Sequence, residues 1–132
     1  MDDEERFERL NELIDEINIL SETHVILVEG LKDVSALKAV GVNGDFHCVQ
    51  SSGGPLRASE FVWKAGRPAL VLTDWDRRGD NLAQTLRSNL TSLGVRYDDH
   101  IRSEMAYLCR PYAKDVESLD SVYRNLQKSI MG

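Results

Sequence analysis

The stretch Leu70-Val71-Leu72-Thr73-Asp74-Trp75-Asp76-Arg77-Arg78-Gly79-Asp80 constrains this chain more than any other. Its start is branched and uninterruptedly apolar, as in a strand covered on both faces, and such strands belong to the parallel sheets of α/β domains. The run stops at two aspartates separated by one position; a basic pair and a glycine follow, and then a helix-like pattern begins. In sheets of this kind ligands sit outside the carboxyl ends of the strands, where Asp74 and Asp76 fall. Two carboxylates two positions apart on extended chain point the same way, so both can approach one hard cation such as Mg2+.

A second buried run, Val25-Ile26-Leu27-Val28, ends in Glu29-Gly30. Phe46-His47-Cys48-Val49 and Met105-Ala106-Tyr107-Leu108-Cys109 are further strand candidates. Between them the apolar spacing turns helical. Phe7, Leu10, Ile14 and Ile17, widened by Leu13 and Leu20, predict an amphipathic helix over 2–20. Further helices are expected over 31–40, over 58–64, from Gly79 to Gly94 along Leu82, Leu86, Leu90 and Leu93, and over 115–130. Ser51-Ser52-Gly53-Gly54-Pro55 reads as a loop, either a plain turn or a place where backbone N–H groups approach a phosphate. Strand and helix alternate throughout. The chain is therefore expected to be α/β, with about four mainly parallel strands flanked by helices and joined by right-handed crossovers.

At 132 residues the chain suffices for one domain with a real core. No apolar segment reaches the length of a membrane span, and the start is acidic where a signal peptide would be basic, so a cytoplasmic protein with no membrane partner is expected. Cys48 and Cys109 lie far apart and near no histidine pair, which argues against zinc and for two core thiols. A net charge of −6 looks wrong for a nucleic-acid partner until it is divided along the chain. Residues 1–22 hold nine acids and two bases, whereas the remainder holds thirteen acids and fourteen bases. The body is thus mildly basic around its acidic strand ends, and a phosphate-bearing partner is not excluded. The acidic first helix either docks on the domain, forms a homodimer or partner-protein contact, or shields the basic face.

If the strands ending at Glu29 and Asp74 are neighbours, three carboxylates meet at one edge. Such a site suits Mg2+, with Mn2+ as a substitute, because Mg2+ keeps several waters and takes its other ligands from phosphate oxygens. The ion can polarise a phosphoryl group and orient attacking and leaving oxygens. Arg77 and Arg78 could hold a phosphate, and Gly30 and Gly79 would let the chain turn beside the ion. Each residue also has a plainer role: Asp76 as the cap of the following helix, Glu29-Gly30 as a turn, and the arginines as solvated side chains. Asp115-Val116-Glu117-Ser118-Leu119 is either a further acidic group at this edge or a helix N-terminal turn.

Val25-Ile26-Leu27-Val28-Glu29-Gly30 with Asp33, followed about forty residues later by Thr73-Asp74-Trp75-Asp76-Arg77-Arg78-Gly79-Asp80, resembles the Toprim family. Type IA topoisomerases, bacterial-type primases, OLD-family nucleases, RecR proteins and small 5S ribosomal RNA maturases share that domain. The resemblance implies a Rossmann-like sheet over roughly residues 24–112; by the apolar spacing, the acidic helix of 1–22 precedes it and a helix over 113–132, packed on the same domain, follows. The resemblance also implies Glu29 as general acid or base, Asp74 and Asp76 as the Mg2+ pair, and Asp80 as an outer-shell acid; Glu29 is then expected either to manage the proton or to complete the metal shell. Lys32 and Asp33 resemble the stretch after the glutamate in primases, and Lys32 joins Arg77 and Arg78 as an expected phosphate contact. Trp75 departs from the small residue or proline often found between the aspartates, and either packs against the sheet or stacks on a base. With no gate domain, zinc module or ATPase in these residues, the layout is nearest to the 5S ribosomal RNA maturases and small archaeal Toprim proteins. The expected function is Mg2+-dependent phosphoryl transfer on RNA or DNA, of the cleaving kind; the alternative is a non-catalytic module that binds nucleic acid or a nucleotide and recruits a partner.

Overall fold

The computed structural model describes residues 1–132. The apolar runs become strands β1 (Val25–Val28) and β3 (Ala69–Val71), which pair in parallel, with β2 (Phe46–Cys48) and β4 (Tyr97–Asp98) as the outer strands. The order is β2-β1-β3-β4 and every pairing is parallel. Helices α1 (Asp3–Leu20), α2 (Leu31–Ala39), α6 (His100–Cys109) and α7 (Leu119–Met131) cover one face of this sheet. α4 (Pro55–Ala65) and α5 (Arg77–Ser92) cover the other, and a single turn, α3 (Val49–Ser52), joins β2 to α4. The expected α/β class with a four-stranded parallel sheet is the observed one.

Alternation along the strands explains the two covers. Ile26, Val28, Leu70 and Leu72 enter the larger apolar cluster with Leu10, Leu13 and Ile17 of α1 and Met105, Leu119 and Leu126. Val25, Leu27, Ala69 and Val71 face the other way, onto Ala58 and Val62 of α4 and Ala83, Leu86 and Leu90 of α5. Continuous apolar sequence was the right signal for strands buried on both sides. The α1 stripe is docked on this core, and both cysteines are buried in it as free thiols.

One strand assignment is corrected. Met105–Cys109 lies within α6, and the fourth strand is the short, half-buried Tyr97–Asp98. Burial of Ile101, Arg102, Met105, Ala106, Leu108 and Cys109, with Tyr107 exposed, is the spacing of a helix face. Five apolar residues are too few to distinguish a strand from a buried helix, and a two-residue edge strand needs no apolar run at all. Boundaries also moved. α4 starts at Pro55, well suited to a first helical position, and α5 starts at Arg77, immediately after its cap.

Candidate functional site

Strand order reverses between β1 and β3: the chain goes from β1 outward to β2, then returns to β3 on β1's other side. This is the switch point at which α/β sheets leave a crevice beyond their carboxyl ends. Glu29 follows β1 there, and Leu72-Thr73-Asp74 leads out of β3 beside it, with the Leu72 N–H donating to the Leu27 carbonyl at 2.9 Å. The Asp74 N–H then donates to Glu29 Oε2 at 2.8 Å. Two acids far apart in sequence are thereby in contact.

Each remaining wall has a definite cause. Asp33, buried in the first turn of α2, accepts the Gly30 N–H at 3.0 Å and closes the turn after Glu29. The Gln50 N–H donates to the Glu29 carbonyl at 3.0 Å and brings the start of α3 to the same edge. From the far end of the chain, the Val116 N–H donates to Asp74 Oδ1 at 2.9 Å. The result is a cleft of about 550 Å³ whose lining includes four acids, Glu29, Asp33, Asp74 and Glu117, and one base, Lys32. None of the four acids is ion-paired with a basic side chain.

Burial beside other carboxylates shows in the proton affinities of two of these acids. Burial, reinforced by the charges of Asp74 and Asp33, pushes the Glu29 carboxyl up to about 7, against the opposing pull of the Asp74 N–H. Burial also raises Asp33. Glu29 is therefore poised to exchange a proton near neutrality, the condition general acid–base chemistry favours.

Asp76 goes elsewhere. Its Oδ1 accepts the Gly79 N–H at 2.7 Å and caps α5, the plainer of its two expected roles, and it does not line the cleft. No three His, Cys, Asp or Glu side chains are gathered closely enough to hold a metal ion among themselves. The expected trio is thus a Glu29–Asp74 pair with Asp76 turned to a helix end. A pair still fits Mg2+, which needs only one or two carboxylates and fills its octahedron with water and phosphate oxygens.

The other expected contacts are placed as follows. Arg77 and Arg78 are exposed in the first turn of α5, and Lys32 is exposed in the first turn of α2. Asp80 is committed to arginines: Arg102 Nη2 at 2.7 Å and Arg110 Nη2 at 3.3 Å. Trp75 is buried against the sheet, so it is not a stacking surface. Asp115 caps a 3-10 turn over Val116–Ser118, while the backbone of Val116 and the side chain of Glu117 reach the site. Both expectations for that segment hold in part.

No sequence motif singles out Arg102. It is buried, its Nε donates to the Thr73 carbonyl at 3.2 Å, and its Nη2 donates to the Asp74 carbonyl and to Asp80. Arg110 adds a bond from Nε to the Trp75 carbonyl at 2.9 Å. Together they hold the 73–76 turn from behind. Reading 100–109 as a helix would have exposed the signal, an arginine on an otherwise apolar face.

Asp76 offers a direct test of its role. Asp76→Ala should lower stability by about 1 kcal/mol, and Asp76→Ser should recover most of it, because a serine hydroxyl also caps. Urea denaturation measures both. Equal stability of Asp76→Ala and the parent would mean that the cap contributes nothing.

No family model matches the chain. It is similar to the UPF0292 protein of Methanosarcina barkeri, 37% identical over 115 residues, which are 86% of this chain and 80% of that one. A UPF0292 protein of Methanocaldococcus jannaschii is 36% identical over 118 residues, covering 89% of this chain and 92% of its own. One of Thermococcus sibiricus is 32% identical over 119 residues, covering 90% and 91% respectively. Among solved structures, a protein from Aquifex aeolicus shares the fold with a TM-score of 0.68 and 24% identity, over 83% of this chain and 96% of that one.

Proposed function

The chain belongs to the UPF0292 family, and we propose that it is a Toprim-type, Mg2+-dependent phosphoryl-transfer protein that cleaves RNA or DNA. One observation carries this reading: Glu29 and Asp74 meet at the switch point of the sheet, joined by a hydrogen bond, and neither is ion-paired with a basic side chain. Asp74 and Glu29 would hold Mg2+, with water and phosphate oxygens completing its shell, while Asp76 stays at the α5 cap outside the cleft. Bound there, the ion would supply charge stabilisation at a phosphoryl oxygen. Where Glu29 is not itself a ligand of the ion, its carboxyl, raised to about 7, would give or take the proton of the attacking or leaving oxygen. Lys32, which lines the cleft, and Arg77 and Arg78, exposed in the first turn of α5, would meet the phosphates. Asp80 is already neutralised by Arg102 and Arg110 and stands at most in the outer shell.

Incubation with structured RNA, single-stranded DNA and duplex DNA tests this. Products should form with Mg2+ or Mn2+ and stop forming on addition of chelator. The second reading, a non-catalytic Toprim module that binds nucleic acid or a nucleotide and recruits a partner, is favoured by the lack of three converging ligands. It expects binding and no products.

The Glu29 shift also has a stability signature. Its folded pKa of about 7 lies above the ordinary 4.5, so the folded protein holds this proton more tightly than the unfolded chain does. Its contribution is most favourable below about pH 4.5, declines as pH rises toward about 7, and is flat beyond. The decline should be about 1–2 kcal/mol after allowing for the partial exposure of Glu29. Thermal melts from pH 5 to pH 8 should show the parent losing ground to Glu29→Gln, and Mg2+ at pH 8 should restore part of it. Parallel melting curves for the two proteins would contradict the shift.

A further inference from the structure

The outer face of α4 carries a feature unused by the cleft. Arg57, Phe61 and Lys64, spaced four and three apart, form one exposed stripe along this helix. The Phe61 ring lies flat on the His47 ring of edge strand β2, with centroids 3.9 Å apart and planes inclined by 1°. Even so stacked, Phe61 remains 48% exposed. His47 pairs with Leu27 across the sheet, which places it on the face that α4 covers. Its Nε2 is buried and has no hydrogen-bond partner, so the ring is held there by stacking and not by a polar contact. Neither Arg57 nor Lys64 is in an ion pair. The one acid of α4, Glu60, lies on the adjacent stripe with Leu56 and Trp63.

We propose that this stripe is a base-stacking platform for single-stranded nucleic acid, with a nucleobase laid on Phe61 and phosphates held by Arg57 and Lys64. Every base has a π-face, so an exposed aromatic ring with cations on both sides binds single strands with little regard to sequence. Arg57 to Lys64 spans about 10 Å along the helix axis, enough to hold the backbone on both sides of one base. An apolar patch alone would not distinguish a protein partner from a nucleic acid; the flanking, unpaired cations do. The platform is also continuous with the cleft. Gln50 and Ser51 line its rim, and α3 leads from them to Gly53, against which the Arg57 stem packs, its Cγ 3.4 Å from where a Cβ would stand. A strand leaving the carboxylates along this side meets Arg57 first and Phe61 next. This inference rests on the nucleic-acid reading proposed above and adds single-strandedness and a route.

Fluorescence anisotropy of labelled oligothymidylate and oligouridylate of about 15 nucleotides, measured in chelator so that nothing is cut, tests the platform. Phe61→Leu, which keeps an apolar cover on His47, should weaken binding about tenfold, whereas Phe61→Trp should retain it. Arg57→Glu with Lys64→Glu should weaken binding further and flatten its salt dependence. Circular dichroism melts establish that each variant is folded. Equal affinity of Phe61→Leu and the parent would overturn the stacking role, even if the charge reversals reduce binding. Failure of the parent to bind either probe would overturn the platform as a whole. In that event, persistent Mg2+-dependent cleavage of duplex or structured RNA would leave the catalytic reading standing.

Discussion

Glu29→Gln is expected to reduce Mg2+-dependent cleavage by about a hundredfold or more while leaving the fold intact. The substitution is isosteric, and the amide oxygen can still accept the Asp74 N–H that Glu29 Oε2 accepts at 2.8 Å. What disappears is a titratable proton and one anionic ligand. The carboxyl of Glu29 is held near 7 by burial and by Asp74, so near neutral pH both its protonated and ionised forms are well populated. Glutamine has neither. Removing the crowded negative charge should at the same time raise the melting temperature at pH 8. A variant that is slower and more stable would mark Glu29 as a group strained for a task, whereas an unchanged cleavage rate would remove it from the mechanism. Measurement of initial rates at several Mg2+ concentrations separates loss of the proton from loss of the ion: only the latter is partly rescued by more metal.

Gly79→Ala should be among the most damaging single methyl additions available in this chain, costing about 3 kcal/mol or more. Gly79 is buried in the first turn of α5, and a Cβ there would stand 1.9 Å from the Asp74 carbonyl oxygen and 2.4 Å from its carbon. These are backbone atoms and cannot swing aside. The same turn is tied by the Thr73 hydroxyl donating to the Gly79 carbonyl at 2.8 Å and by the Gly79 N–H donating to Asp76. Any relief must move Asp74, Asp76 or the whole start of α5. Glycine is required here for the close approach of α5 to the turn that follows β3, and not for an unusual backbone angle. Asn81→Ala, two positions on and exposed, serves as the control and should change stability by less than about 0.5 kcal/mol. Denaturant titration compares them; a Gly79→Ala protein as stable as its parent would mean the close approach is not required.

Legibility varied with the range of the interaction involved. The β1 and β3 runs were plain because both faces of each are buried, and burial on two faces writes itself as unbroken apolar sequence. The α1 stripe was plain for the same reason at helical period. Tyr97–Asp98 was not, since an edge strand of two half-buried residues carries no periodic signal, and the five apolar residues Met105–Cys109 of α6 are too short a run to tell a helix from a strand. Asp76 shows a subtler limit. Its type and spacing suited both a metal ligand and a helix cap, and only the position of α5 could assign Oδ1 to the Gly79 N–H.

By itself the sequence determined the α/β alternation, the two strands buried on both faces, and acids at their carboxyl ends, because these follow from local periodicity and from where the chain must leave the core. Tertiary structure alone decided that β1 and β3 are neighbours, and hence that Glu29 touches Asp74 across 45 positions. It also decided that Val116 reaches Asp74 from 42 positions away, and that Arg102 grips the turn from behind. Proton affinity belongs to the second group as well. A glutamate acquires a carboxyl near pH 7 only when packing has removed its water and set another carboxylate beside it, and no single stretch of chain contains that information.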